Sequence, residues 1–123
     1  MSGKNVLLIG LGPSVVSYSR RPGLTAEKLE ARLRREEAAL NQNGYAASIC
    51  FIDQGETAED VVRARLAETD FACVLVGAGV RSDADEFLLF EKLVRVVHER
   101  APKARVCFNL GSADSTTVVK HWV

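Results

Sequence analysis

Val6-Leu7-Leu8-Ile9-Gly10 is an unbroken apolar run closed by a glycine. A run this short, apolar at every position, suits a strand buried on both faces; a strand with one wet face would alternate. Working outward, three further runs repeat the pattern. Residues 46–52 (Ala-Ala-Ser-Ile-Cys-Phe-Ile) close on Asp53, residues 71–76 (Phe-Ala-Cys-Val-Leu-Val) on Gly77-Ala78-Gly79, and residues 104–108 (Ala-Arg-Val-Cys-Phe) on Asn109. Helical stretches separate them. Buried strands alternating with helices mark repeated βα units and a parallel sheet. The expectation is an α/β fold: a three-layer sandwich with a parallel four-stranded sheet, helices on both faces, and strand order 2-1-3-4 or, alternatively, 3-2-1-4. Both orders keep the crossovers right-handed.

The chain has 123 residues. That length predicts one Rossmann-like or flavodoxin-like domain over 1–123, large enough for a true core. Apolar residues make up 47% and charged residues 26%, a balance that excludes a disordered chain. Sixteen basic and sixteen acidic side chains cancel, so no clustered positive charge invites nucleic acid. No apolar run approaches the ~18 residues that cross a bilayer. The opening Met1-Ser2-Gly3-Lys4-Asn5 leads straight into the first strand, so no signal peptide is expected. Cys50, Cys73 and Cys107 each fall within a strand, lack Cys-x-x-Cys spacing, and read as buried inert thiols. An odd count without a framework fits a reducing compartment, and a cytoplasmic location is expected.

The first helix is predicted from about Ala26 to Asn43, capped by Thr25 and stopped at Gly44, with Leu29, Leu33 and Leu40 inward. Glu36 interrupts that face. It is expected to lean into solvent or pair with a nearby arginine, and a buried functional carboxylate is the other reading. A second helix should cover about 58–68, capped by Thr57, with Val61, Val62 and Leu66 inward. A third should start after Ser82 or Asp83 and end at about Arg100 before Pro102. Phe87, Phe90, Leu93, Val94 and Val97 are its predicted core face. Leu88 and Val96 then lie outside it, a surplus that points to a partner surface and to a homodimer through Leu88, with Trp122 as a possible neighbour. Ser115 to Val123 reads as a short helix, with a fifth strand as the alternative. Val118, Val119 and Trp122 would lie on the sheet.

Gly10-Leu11-Gly12-Pro13-Ser14-Val15 begins like a dinucleotide fingerprint, but Val15 stands where the third glycine belongs. No Walker-type phosphate loop, receiver-type acidic pocket or flavodoxin-type hydroxyl loop is recognisable. No cofactor is expected. His98 and His121 lie away from the strand tips, and no histidine, cysteine and carboxylate cluster suggests a metal. In an open α/β sheet, ligands bind outside the carboxyl ends of the strands. That rule collects Gly12, Ser14, Asp53, Gln54, Gly77, Gly79, Arg81, Asn109 and Ser112 at one edge. The connection Gly77-Ala78-Gly79-Val80-Arg81-Ser82-Asp83 is the strongest candidate there, because small residues expose backbone N–H groups and Arg81 suits a carboxylate or phosphate.

Several segments in the second half of the chain carry a resemblance. They are Gly77-Ala78-Gly79-Val80-Arg81, Phe87-Leu88-Leu89-Phe90-Glu91-Lys92-Leu93, Val97-His98 with Ala101-Pro102, and Phe108-Asn109. Together with Pro22-Gly23-Leu24-Thr25, they resemble a group of small bacterial single-domain α/β proteins. The resemblance implies the fold and brings no catalytic signature. Three functions are therefore carried forward. The first is a module binding a small molecule or nucleotide-like anion at the strand tips. The second is a small hydrolase or transferase using Asp53, Arg81 and Asn109. The third is an interaction domain acting through the third helix.

Overall fold

The computed structural model describes residues 4–12, 23, 25–53, 57–77, 87–109 and 115–123. Its strands are β1 (Asn5–Leu11), β2 (Ala46–Ile52), β3 (Cys73–Val76) and β4 (Arg105–Phe108). Its helices are α1 (Ala26–Gln42), α2 (Ala58–Glu68), α3 (Phe87–Arg100) and α4 (Ser115–Trp122). All strand pairs are parallel, in the order β2-β1-β3-β4. This is the first of the two expected orders.

Alternate side chains of the sheet feed two separate cores. Leu7, Ile9, Val74 and Val76 pack with Val62 of α2 and with Leu93 and Val97 of α3. Val6, Leu8, Cys73, Leu75 and Cys107 face Leu40 of α1 and Val119 of α4. Two helices therefore cover each face, and the central strands β1 and β3 meet no water on either side. That is why their sequences are continuously apolar.

Local signals place the helix ends. Thr25 is extended, and its hydroxyl accepts the Lys28 N–H at 3.1 Å, the bond expected of an N-cap. At the other end Gly44 takes φ +92°, a conformation that any side chain would strain. At α2 the expectation needs correction, because the Thr57 side chain makes no capping bond. Asp53 takes that place, accepting both the Thr57 N–H at 3.1 Å and the Thr57 hydroxyl at 2.8 Å. A carboxylate there also faces the positive end of the helix dipole.

The inward face of α3 differs from the expected one. Leu89, Leu93, Val96 and Val97 are its buried residues. Phe87 is 61% exposed, while Phe90 and Val94 are half-buried. The helix carries two overlapping apolar stripes, and packing against α2 on the same face of the sheet selects the stripe turned toward α2. Leu88 is exposed, as expected. The last segment is a helix, with Val119 buried and Val118 half-buried, but Trp122 is 53% exposed rather than laid on the sheet. Among the described residues, no helix is long and apolar enough to cross a membrane.

Candidate functional site

The order β2-β1-β3-β4 puts β1 and β3 side by side at the centre of the sheet. From β1 the chain passes through α1, on one face, to β2. From β3 it passes through α3, on the other face, to β4. The helices thus leave the two central strands in opposite directions, which is the topological switch point of such a sheet. Gly12 and Gly77 flank it. The Gly12 N–H donates to Ile52 O at 2.9 Å, and the Gly77 N–H donates to Ile9 O at 2.9 Å, so both extend the ladders to the rim. A Cβ on Gly77 would lie 3.1 Å from Ile9 O, so close approach to β1 is one reason for glycine there.

Of the expected site residues, Gly12, Asp53, Gly77 and Asn109 are described, and each lies at the carboxyl end of its strand. Ser14, Gln54, Gly79, Arg81 and Ser112 lie outside the described residues, as does most of the connection from β3 to α3. Asp53 is engaged at the start of α2 through its bonds to Thr57. Asn109 has turned inward, with only 4% of its surface exposed.

There Asn109 meets two residues that the strand-tip rule did not collect. Its side-chain amide donates to the Ser115 hydroxyl at 2.8 Å and approaches Glu36 Oε1 at 3.5 Å. The Ser115 hydroxyl in turn donates to Glu36 Oε1. Glu36 is 8% exposed, so it does not lean into solvent. The second of the two readings of Glu36 is correct as to burial. A carboxylate moved out of water is costly unless donors meet it, and Ser115 and Asn109 are two that do. The three residues tie α1, the end of β4 and the start of α4 together. Glu36 was signalled in the sequence by its position amid apolar residues; Ser115 carried no signal beyond its place at the start of a helix.

The three thiols are buried and unbridged. Cys73 and Cys107 point into the same core from neighbouring strands, with sulfurs 2.9 Å apart. The hydrogen bond to Cys107, together with burial, pushes the Cys73 thiol well above its ordinary range; the same bond draws Cys107 down. Burial also raises Cys50. Thiols without solvent access, two of them held protonated, are poor nucleophiles. Among the described residues no group of histidine, cysteine and carboxylate side chains could hold a metal ion. His121 stacks edge-on against Trp122 with ring centroids 4.8 Å apart, remote from the strand tips.

No family model matches this chain, and no curated protein matches its sequence.

Proposed function

We propose that this domain binds a small anionic molecule, of metabolite or nucleotide-like size, across the carboxyl ends of β1 and β3. The observation that carries the reading is the switch point: helices diverge from adjacent strands that end in Gly12 and Gly77. In sheets of this topology the crevice left by that divergence is where ligands sit. The preference for an anion comes from the β3–α3 connection, which is rich in small residues and carries Arg81. Asn109 and Glu36 take a supporting part. Buried and bonded to Ser115, they hold the end of β4 and the start of α4 in fixed relation to that rim.

Thermal unfolding in the presence of inorganic phosphate, nucleoside monophosphates and small carboxylates tests the proposal. Binding to the folded state raises the midpoint in a concentration-dependent way. The expected result is a rise with at least one of these anions, lost in Arg81→Ala while the unliganded midpoint stays put. No rise with any of them, or a rise unchanged by Arg81→Ala, overturns the reading.

A further inference from the structure

A second surface lies away from the strand tips, along the flank where α3 borders the edge strand β4. An open groove of about 460 Å³ runs there. Phe87, Phe90, Val94 and Phe108 form its apolar walls. Phe87 is 61% and Phe108 41% exposed, and Leu88, at 59%, continues the apolar surface beside them. The Phe90 and Phe108 rings meet edge to face with centroids 5.7 Å apart, so the floor is shaped rather than loose.

Among the described residues, three charges of α3 and the outward backbone of Val106 are left unmet on this flank. Glu91, Arg95 and Glu99 follow one another at four-residue spacing along α3, alternating in sign. Among the described residues none of the three takes part in an ion pair, whereas α2 pairs both of its arginines internally, Arg63 with Glu59 and Asp60 and Arg65 with Glu68. β4 is the last strand of the sheet. Arg105 N–H donates inward to Ala72 O, so by alternation the N–H and C=O of Val106 point outward. No described side chain reaches them.

We infer that this flank joins two copies of the chain about a two-fold axis, β4 pairing antiparallel with β4 and α3 lying beside α3. One patch must then serve both sides, and its Glu91–Arg95 pair is complementary to its own antiparallel copy. An axis normal to the sheet keeps both α3 helices on the same face and runs them antiparallel. Glu91 of one copy then faces Arg95 of the other, and the reverse contact follows from symmetry. The same operation supplies each Val106 with the hydrogen-bonding partner it lacks and closes the two aromatic grooves against each other. A strongly acidic or strongly basic partner would meet like charge somewhere along the alternating row. A second copy in this register meets opposite charge at Glu91 and Arg95, while Glu99 lies opposite the aromatic end of the groove near Phe87.

Sedimentation velocity across micromolar concentrations tests the inference. The wild-type chain is expected to form a dimer. Glu91→Arg and Arg95→Glu, each on the exposed rim, should each weaken association by about tenfold or more. Combining the two should restore it, because the exchanged pair is again complementary. Amide exchange gives a second reading: the Val106 N–H should be slow in the dimer and fast on dilution. A monomer at all concentrations overturns the inference, as does a dimer indifferent to both single reversals or an oligomer of higher order. Loss of dimer in the double reversal as well overturns the Glu91–Arg95 contact.

Discussion

At β2 part of the outward-facing backbone, at Ala47 and Ile49, is covered from within the chain. Asn41, on α1, accepts the Ala47 N–H at 2.8 Å and donates to Ala47 O at 3.4 Å. Arg65, on α2, donates to Ile49 O at 2.9 Å and to the Ser48 hydroxyl at 2.7 Å. At β4, the opposite edge, no described side chain reaches the corresponding groups of Val106, and an apolar groove lies alongside. Unpaired strand edges invite other strands, and folded proteins generally shield them. An asparagine of α1 and an arginine of α2 achieve this over part of β2 without adding any chain. The difference between the edges cannot be ascribed to sheet geometry, because both are parallel edges of one sheet. It comes from what α1 and α2 carry at their inner borders and α3 does not.

Four substitutions or conditions would break or sharpen this contrast. The largest effect should come from Leu93→Ala, beneath the open flank. Leu93 is fully buried, and removing it should cost about 2–5 kcal/mol in chemical denaturation, as for other buried leucines. A loss below ~0.5 kcal/mol, the range of surface positions, would mean that the β4 flank is loosely packed throughout rather than open only at its rim. Next is Asn109→Ala, which removes a donor from the buried Glu36 and Ser115 pair. A loss of about 1–3 kcal/mol is expected from the unmet polar groups, measured the same way. An unchanged midpoint would show that β4 is held by its ladder to β3 alone.

Arg65→Ala should cost about 1–2 kcal/mol, since it withdraws charged donors from Ile49 and Ser48. More tellingly, it should add species larger than a dimer in sedimentation, because the β2 edge would then be exposed. If no larger species forms, Asn41 alone suffices as a shield. The smallest effect concerns pH. The Cys50 thiol on β2 is raised by burial, so the unfolded chain gives up that proton first as pH rises. The unfolded state then binds fewer protons than the folded one, and stability falls above the ordinary thiol pKa of about 8.5. The slope from this one group is at most about 1.4 kcal/mol per pH unit. Denaturation at neutral and alkaline pH should show the fall, reduced in Cys50→Ala; an equal slope in both would place its origin elsewhere.

The central strands were readable from sequence because burial on both faces removes alternation, leaving β1 and β3 as plain apolar runs, while the edge strands β2 and β4 admit Ser48 and Arg105. Handedness did not separate the two expected strand orders, since right-handed crossovers allow both; the observed order is β2-β1-β3-β4. The inward face of α3 was not readable, because Phe87, Phe90 and Val94 compete with Leu89 and Val96 for one helix. Only the position of α2 decides between those stripes, and it is a long-range fact. At the strand tips, Asn109 and Asp53 were legible by the rule that ligands gather there. Their engagements were not: Asp53 reaches four residues on to Thr57, and Asn109 meets Glu36 across 73 positions of chain. Glu36 gave the one usable hint, a carboxylate on an apolar face. The expected residues Ser14, Gly79, Arg81 and Ser112 fall outside the described ones.

Asn41 and Arg65 have one more consequence, which concerns growth. A sheet with two receptive edges is a monomer in the polymer chemist's sense: each addition creates a new site for the next, and elongation has no natural end. A sheet with one receptive edge is monofunctional. Whatever strand adds at β4, the far side of the same molecule ends in Ala47 and Ile49, already occupied by an amide and a guanidinium from its own helices. Those two side chains act as end groups. They shorten the run of backbone at β2 on which a further strand could add, and so oppose open-ended growth through that edge.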